Sequence, residues 1–151
     1  MKNLTLVVAL LTSLSLGLTG IGARAEESSE ANIRTAAINS LQTWNEAFNN
    51  GNLDEVNDLY TSDAVLLMPN GESATTAEGI REFWNTLYGI GFNAHGIEVV
   101  SVEGSGDTVI IAGDWSALRA PENDMLFEGK LVSVLERQAN GVWKTTFQRW
   151  N

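Results

Sequence analysis

The chain has 151 residues, no cysteine, and 9 basic against 19 acidic side chains, a formal charge of −10. That length gives one domain with room for a real core, and without a thiol there is neither a disulfide nor cysteine chemistry. The acidity excludes nucleic acid and anionic lipid as natural partners and reads as a solvated surface.

Residues 1–25 read as a secretory signal peptide. Met1 and Lys2 give a short basic start, Leu4 to Leu18 is mostly apolar, and Ala23-Arg24-Ala25 fits a small-residue cleavage site. The apolar part is shorter than the roughly 20 residues a spanning helix needs. Glycines interrupt it, and no cysteine follows for lipid attachment. Cleavage after Ala25 would leave a 126-residue domain, 26–151, that is periplasmic or secreted and free of the membrane. Lys2 and Arg24 would leave with the leader, taking the charge to −12.

Glu26 to Glu30 reads as a frayed leader. From about Ser29 to Asn49, Ile33, Ala37, Leu41, Trp44 and Phe48 recur at steps of 4, 4, 3 and 4, one face of an amphipathic helix. Gly51 suits the left-handed residue after it. Asn52 is placed to cap a short second helix through Tyr60, with Leu53, Val56 and Leu59 inward. Ala64 to Met68 is an apolar run that Pro69 stops, and it reads as a buried strand. Asn70 to Ala74 is a loop. Thr75 and Glu78 fit a capping box for a third helix through about Tyr88, with Ile80, Phe83, Trp84 and Leu87 inward.

The period then changes to two. Strands are expected over Gly96 to Val102, Thr108 to Arg119, Met125 to Gln138 and Val142 to Trp150. The turn Gly104 to Asp107, a polar loop at Ala120 to Asp124 and the hairpin signal Asn140-Gly141 separate them. Gly113 and Gly129 lie mid-strand and mark bulges or bends. The expected architecture is α+β: a cone-shaped, curved antiparallel sheet packed on three N-terminal helices. Such a cone leaves a cavity, the default place to look for a site.

Four segments in this order resemble the nuclear transport factor 2-like superfamily, in its SnoaL-like and ketosteroid-isomerase-like branch. They are Trp44 to Tyr60, Asp63-Ala64 with Pro69, Ile80 to Trp84, and Asn140-Gly141-Val142-Trp143-Lys144 to Asn151. The pattern is most similar to the secreted domain of unknown function 4440 proteins. The superfamily hosts isomerases, dehydratases, cyclases, hydrolases, transport factors and assembly domains, so the resemblance implies a fold more than an activity. Ketosteroid isomerases use a carboxylate base with a Tyr and a protonated Asp as oxyanion hole. The resemblance puts those roles at Met68, Trp44 and Ser133. A thioether is no base, so that mechanism is excluded, while an indole N–H or a hydroxyl can still hold an oxygen.

The remaining candidates follow from residue type. His95, the single histidine, suits acid–base work near neutrality, although it reads as part of a loop entering a strand. Asp114 sits on a long strand and is the second candidate base. Asp63 reads as a turn carboxylate. If Ser133 points inward, Leu131 and Leu135 do too and Glu128 points away. Gln148 shares parity with Trp150 and can orient a ligand without exchanging protons. The expected ligand pocket is Trp44, Tyr60, Met68, Trp84, Ser133, Gln148 and Trp150, apolar and aromatic. No metal or other cofactor is expected, because one histidine without spaced acids makes no ligand set.

Three functions fit. The first is binding of a small apolar or aromatic molecule. The second is an isomerase, lyase or hydrolase using His95 or Asp114. The third is an assembly module in which the outer sheet face forms a homodimer.

Overall fold

The computed structural model describes the backbone of residues 19–119 and 125–151, and their side chains from Glu27 onward except Ser28 and Asn93. The apolar stretch of the expected signal peptide and the expected polar loop at 120–124 lie outside the described residues. No helix among the described residues is long and apolar enough to cross a membrane.

The helix built on the Ile33 to Phe48 stripe, α1, spans Thr19–Asn49. It is longer at its start than the stripe alone requires. The segment expected to fray, Glu26 to Glu30, continues the helix because Ala, Arg, Glu and Ser follow one another with no Gly or Pro after Gly22. Ala37, Leu41, Trp44 and Phe48 are buried. Gly51 closes the helix at φ 72°. Its N–H donates to Phe48 O at 3.0 Å and the Asn52 N–H to Ala47 O at 2.9 Å, the paired bonds of a Schellman cap. A Cβ on Gly51 would also meet the Tyr88 hydroxyl at 2.6 Å.

Helix α2, Leu53–Asp58, is shorter than expected, and the Asn52 side chain does not cap it. Instead Asn52 Nδ2 donates to Glu55 Oε2 at 2.6 Å. Tyr60, expected at the helix end, opens strand β1, Tyr60–Leu67. Asp63 is consequently an exposed strand residue and not a turn carboxylate. Two residues of the expected loop, Ser73–Ala74, form β2 and pair antiparallel with β1.

Helix α3 is Ala77–Gly89 and buries Ile80 and Trp84. Its cap is Thr76, one residue later than the Thr75 of the capping-box reading. Thr76 Oγ1 accepts the Gly79 N–H at 3.1 Å. Thr76→Ala is therefore expected to lower stability by about 1 kcal/mol, while Thr75→Ala stays within about 0.5 kcal/mol of wild type. Urea melts of the two variants check this.

The long strands are β3 (Phe92–Ser105), β4 (Thr108–Arg119), β5 (Leu126–Arg137) and β6 (Trp143–Trp150). With β1 and β2 they form one six-stranded sheet in the order β2-β1-β6-β5-β4-β3. The β3 to β6 meander is antiparallel as its turns require. The β1–β6 pair is parallel, so the sheet is mixed and not purely antiparallel. That pairing is non-local, and no turn signal could announce it.

The bend falls where Gly113 allows it. β3 slips register between Val99 and Ser101, opposite Gly113, and a Cβ there would meet the Glu98 carbonyl at 2.6 Å. One face of the sheet packs on α1 and α3. Leu131, Ser133 and Leu135 point into that core and Glu128 is exposed, as strand alternation demands.

Candidate functional site

The wide end of the cone holds a cavity of about 450 Å³. Phe48 of α1, Phe83, Trp84 and Leu87 of α3, and Met68 with Pro69 after β1 form one side. Phe92 and His95 of β3, Trp115 and Ala117 of β4, Phe127 of β5 and Trp150 of β6 form the other. Register explains the sheet side, because His95 pairs with Ala117 and Ala117 with Phe127, one row across three strands on the same face.

The aromatic rings brace one another. Trp44 contacts Trp84 edge-on at 4.8 Å between centroids and stacks on Phe48 at 5.3 Å. Trp84 and Trp150 meet at 5.6 Å, as do Trp115 and Trp150. Offset and edge-to-face pairs of this kind each add to plain area burial. They hold the wall rigid, which lowers the entropic cost of binding.

His95 is the polar side chain set within this wall. Its ring stacks parallel to Trp115 at 5.8 Å and lies edge-on to Trp150 at 5.1 Å. Burial lowers its pKa from 6.5 to about 4, so the ring is neutral at pH 7. Nδ1 sits 3.2 Å from Asn45 Oδ1. The loop expected around His95 is instead the start of β3, an edge strand whose outer backbone groups need partners. Asn49 supplies them. Its Nδ2 donates to His95 O at 2.7 Å, and its Oδ1 accepts the His95 N–H at 2.7 Å. One amide side chain thus stands in for a missing neighbouring strand.

Below the cavity the cone is filled. Trp84 Nε1 donates to the Tyr60 hydroxyl at 3.1 Å, Tyr60 donates to Gln148 Oε1, and Gln148 Nε2 donates to Ser133 Oγ at 3.1 Å. All four residues are buried. Burial pushes the Tyr60 phenol well above its ordinary value, and the indole N–H groups of Trp84 and Trp44 pull it only partly back. The Trp44 N–H itself makes no hydrogen bond and is left buried without a partner.

Of the expected pocket residues, Met68, Trp84 and Trp150 line the cavity together with His95. Trp44 stands behind the wall, and Tyr60, Ser133 and Gln148 lie beneath it, bonded to one another. Asp114 is outside the cone. It pairs with Lys130 across the outer sheet face and lines a separate, more polar hollow with Glu98, Ser116 and Lys130, so it is not among the residues of the aromatic cavity. Reading the sequence missed Phe48, Phe83, Leu87, Phe92, Trp115 and Phe127 as liners. The first three already belonged to its helical stripes, but those stripes were read as core.

A family model described as a SnoaL-like domain matches residues 41–144. The chain belongs to the SnoaL-like domain family. Solved structures agree on the fold of this SnoaL-like chain. A ketosteroid isomerase-like protein from Erwinia carotovora atroseptica is 17% identical, covering 77% of this chain and 92% of its own at TM-score 0.64. A nuclear transport factor 2-like superfamily protein from Salmonella enterica Typhimurium is 14% identical, with 81% and 92% covered at TM-score 0.68. A third, an NTF2-like protein with a cystatin-like fold from Novosphingobium aromaticivorans, is 13% identical, with 90% of each chain covered at TM-score 0.69. No curated protein matches. Within the SnoaL-like fold this chain keeps a cavity at the mouth and closes the depth of the cone with its own polar chain.

Proposed function

We propose that this SnoaL-like chain is a secreted or periplasmic binding domain for a small apolar or aromatic molecule, held at the mouth of the cone. The observation that carries this reading is the cavity itself, about 450 Å³ and walled by aromatic rings, within the usual size of small-molecule sites. The leader-like first 25 residues support export. No helix among the described residues is long and apolar enough to cross a membrane, in keeping with a domain freed once the leader is cut.

A second reading is catalytic. A neutral His95 with Nδ1 bound to Asn45 Oδ1 offers Nε2 as a base. Binding is preferred because no donor for an enolate is open to the cavity. Trp84 N–H is given to Tyr60, Ser133 is fully buried against Gln148, and the unpartnered N–H groups of Trp44 and Trp150 are enclosed.

Homodimer assembly is compatible with either. Val65, Phe147, Val134 and Ile110 pair in one row across the outer sheet face, with Ile110 47% and Val100 65% exposed.

Native mass spectrometry of the protein from its own host tests ligand and assembly together. The expected spectrum shows a retained small molecule that Met68→Asp loses, because a carboxylate in the apolar wall resists desolvation. Wild-type protein that carries no adduct and takes up no aromatic compound would sink the binding reading. A strictly monomeric mass would sink the dimer.

A further inference from the structure

Asn45 does not line the cavity, yet it decides what the cavity offers. It lies one turn before Asn49 on α1, and its Oδ1 is 3.2 Å from His95 Nδ1. A carboxamide oxygen only accepts, so Nδ1 must carry the imidazole proton. In a neutral ring Nε2 is then a bare lone pair. The two ring nitrogens point apart, which directs Nε2 away from α1. Among the described residues the ring's one hydrogen bond is at Nδ1, and Nε2 is not one of the enclosed polar atoms that lack a partner, so it is unpaired and keeps some open surface. Asn49 pins the backbone of the same residue from both its N–H and its carbonyl, and the rings of Trp44, Phe48, Trp115 and Trp150 pack around the imidazole.

The other polar groups at the cavity sharpen the consequence. Asn70, Glu128 and Asn151 stand exposed at the rim. The indole N–H groups of Trp84 and Trp115 are already given to Tyr60 and to the Asn151 carbonyl. The Trp150 N–H has no partner but is enclosed, with no surface open to the cavity. A ketone or carboxylate oxygen would therefore meet no exposed donor on the wall, whereas a hydroxyl would find an acceptor. We propose that Asn45 is a positioning residue that fixes His95 as an acceptor, so the cavity selects aromatic ligands carrying a hydroxyl or N–H donor, such as phenols, over isosteres without one. This rests on the small-molecule reading of the cavity.

The single histidine makes the test clean, since the ring nitrogen NMR spectrum of untagged protein reports this residue alone. Wild type should show the Nδ1–H tautomer. Asn45→Ala should shift it toward Nε2–H, and Asn45→Asp, which keeps the acceptor, should retain Nδ1–H. Calorimetric titrations then compare 1-naphthol with 1-methoxynaphthalene. Wild type should bind the naphthol roughly tenfold more tightly, the size of one hydrogen bond to a desolvated acceptor. The preference should fall to about twofold or less in Asn45→Ala and return in Asn45→Asp. An Nε2–H tautomer in wild type overturns the proposal, as does a naphthol preference that Asn45→Ala leaves intact. If neither naphthalene binds while the tautomer is as expected, the cavity reading itself falls and the selectivity falls with it.

Discussion

Gln148→Ala should lower stability by about 3–5 kcal/mol, one of the largest losses available to a single substitution in this chain. Gln148 is 1% exposed and joins Tyr60 to Ser133. Truncation leaves the Tyr60 proton and the Ser133 hydroxyl facing no partner in a dry core, each at about 1–3 kcal/mol. The lost side-chain volume adds a cavity term. The cause is separable from mere packing by a double-mutant cycle with Ser133→Ala. In wild type that change orphans Gln148 Nε2 and should destabilise. In a Gln148→Leu background it removes an unpaired hydroxyl instead, so it should cost nothing or stabilise. Urea midpoints at constant m measure the sign change. Additive effects of the two substitutions would mean that the chain of bonds does not hold the depth of the cone shut.

The helical half of this fold was open to reading because its signals are local. The stripe from Ile33 to Phe48 has a helical period, Gly51 has the one backbone angle that closes it, and Ile80 with Trp84 repeats the logic in α3. The meander was open for the same reason, since Asn140-Gly141 and Gly106-Asp107 are turn signals between alternating runs. The rest depends on pairs far apart in the chain. β1 against β6 joins Val65 to Phe147, and nothing near Val65 foretells it. The Asn49 clamp on His95 spans 46 residues, and it turns an apparent loop into an edge strand. Asp114 could be placed only once register set it beside Lys130 on the outer face.

The same limit shaped the site. Resemblance marked Met68, Trp44 and Ser133, and Met68 does lie on the cavity wall. Trp44 stands behind that wall, and Ser133 lies beneath it, where Tyr60 and Gln148 fill the space a deeper ligand would need. A position-by-position comparison can name which residue stands where a catalytic group would be. Whether that residue faces a void or a neighbour depends on side-chain volumes from several strands at once. The His95 neighbourhood shows the converse, because both of its partners, Asn45 and Asn49, sit on the polar flank of a helix whose apolar stripe drew the attention.

Acidification from pH 7 to pH 4 should cost wild-type protein about 2–3 kcal/mol more than it costs His95→Gln. The sign follows from where the proton goes. Burial lowers the folded pKa of His95 to about 4 from an ordinary 6.5, so between these values the unfolded chain binds the proton and the folded one does not. Stability is therefore fully present above pH 6.5 and drains away as pH falls toward 4. Glutamine does not titrate, and the carboxylates are common to both proteins, so the difference between their pH profiles isolates the imidazole. Equal profiles would mean that His95 is solvated and carries an ordinary pKa. The same shift bears on binding. A histidine titrating at 6.5 would lose its lone pair, and with it about tenfold in affinity, by pH 5.5. With the pKa near 4, affinity for a phenol should stay flat from pH 8 down to about pH 5. The aromatic wall thus does two things with one act of burial: it makes a place for an apolar ring, and it keeps the acceptor beside that ring unprotonated.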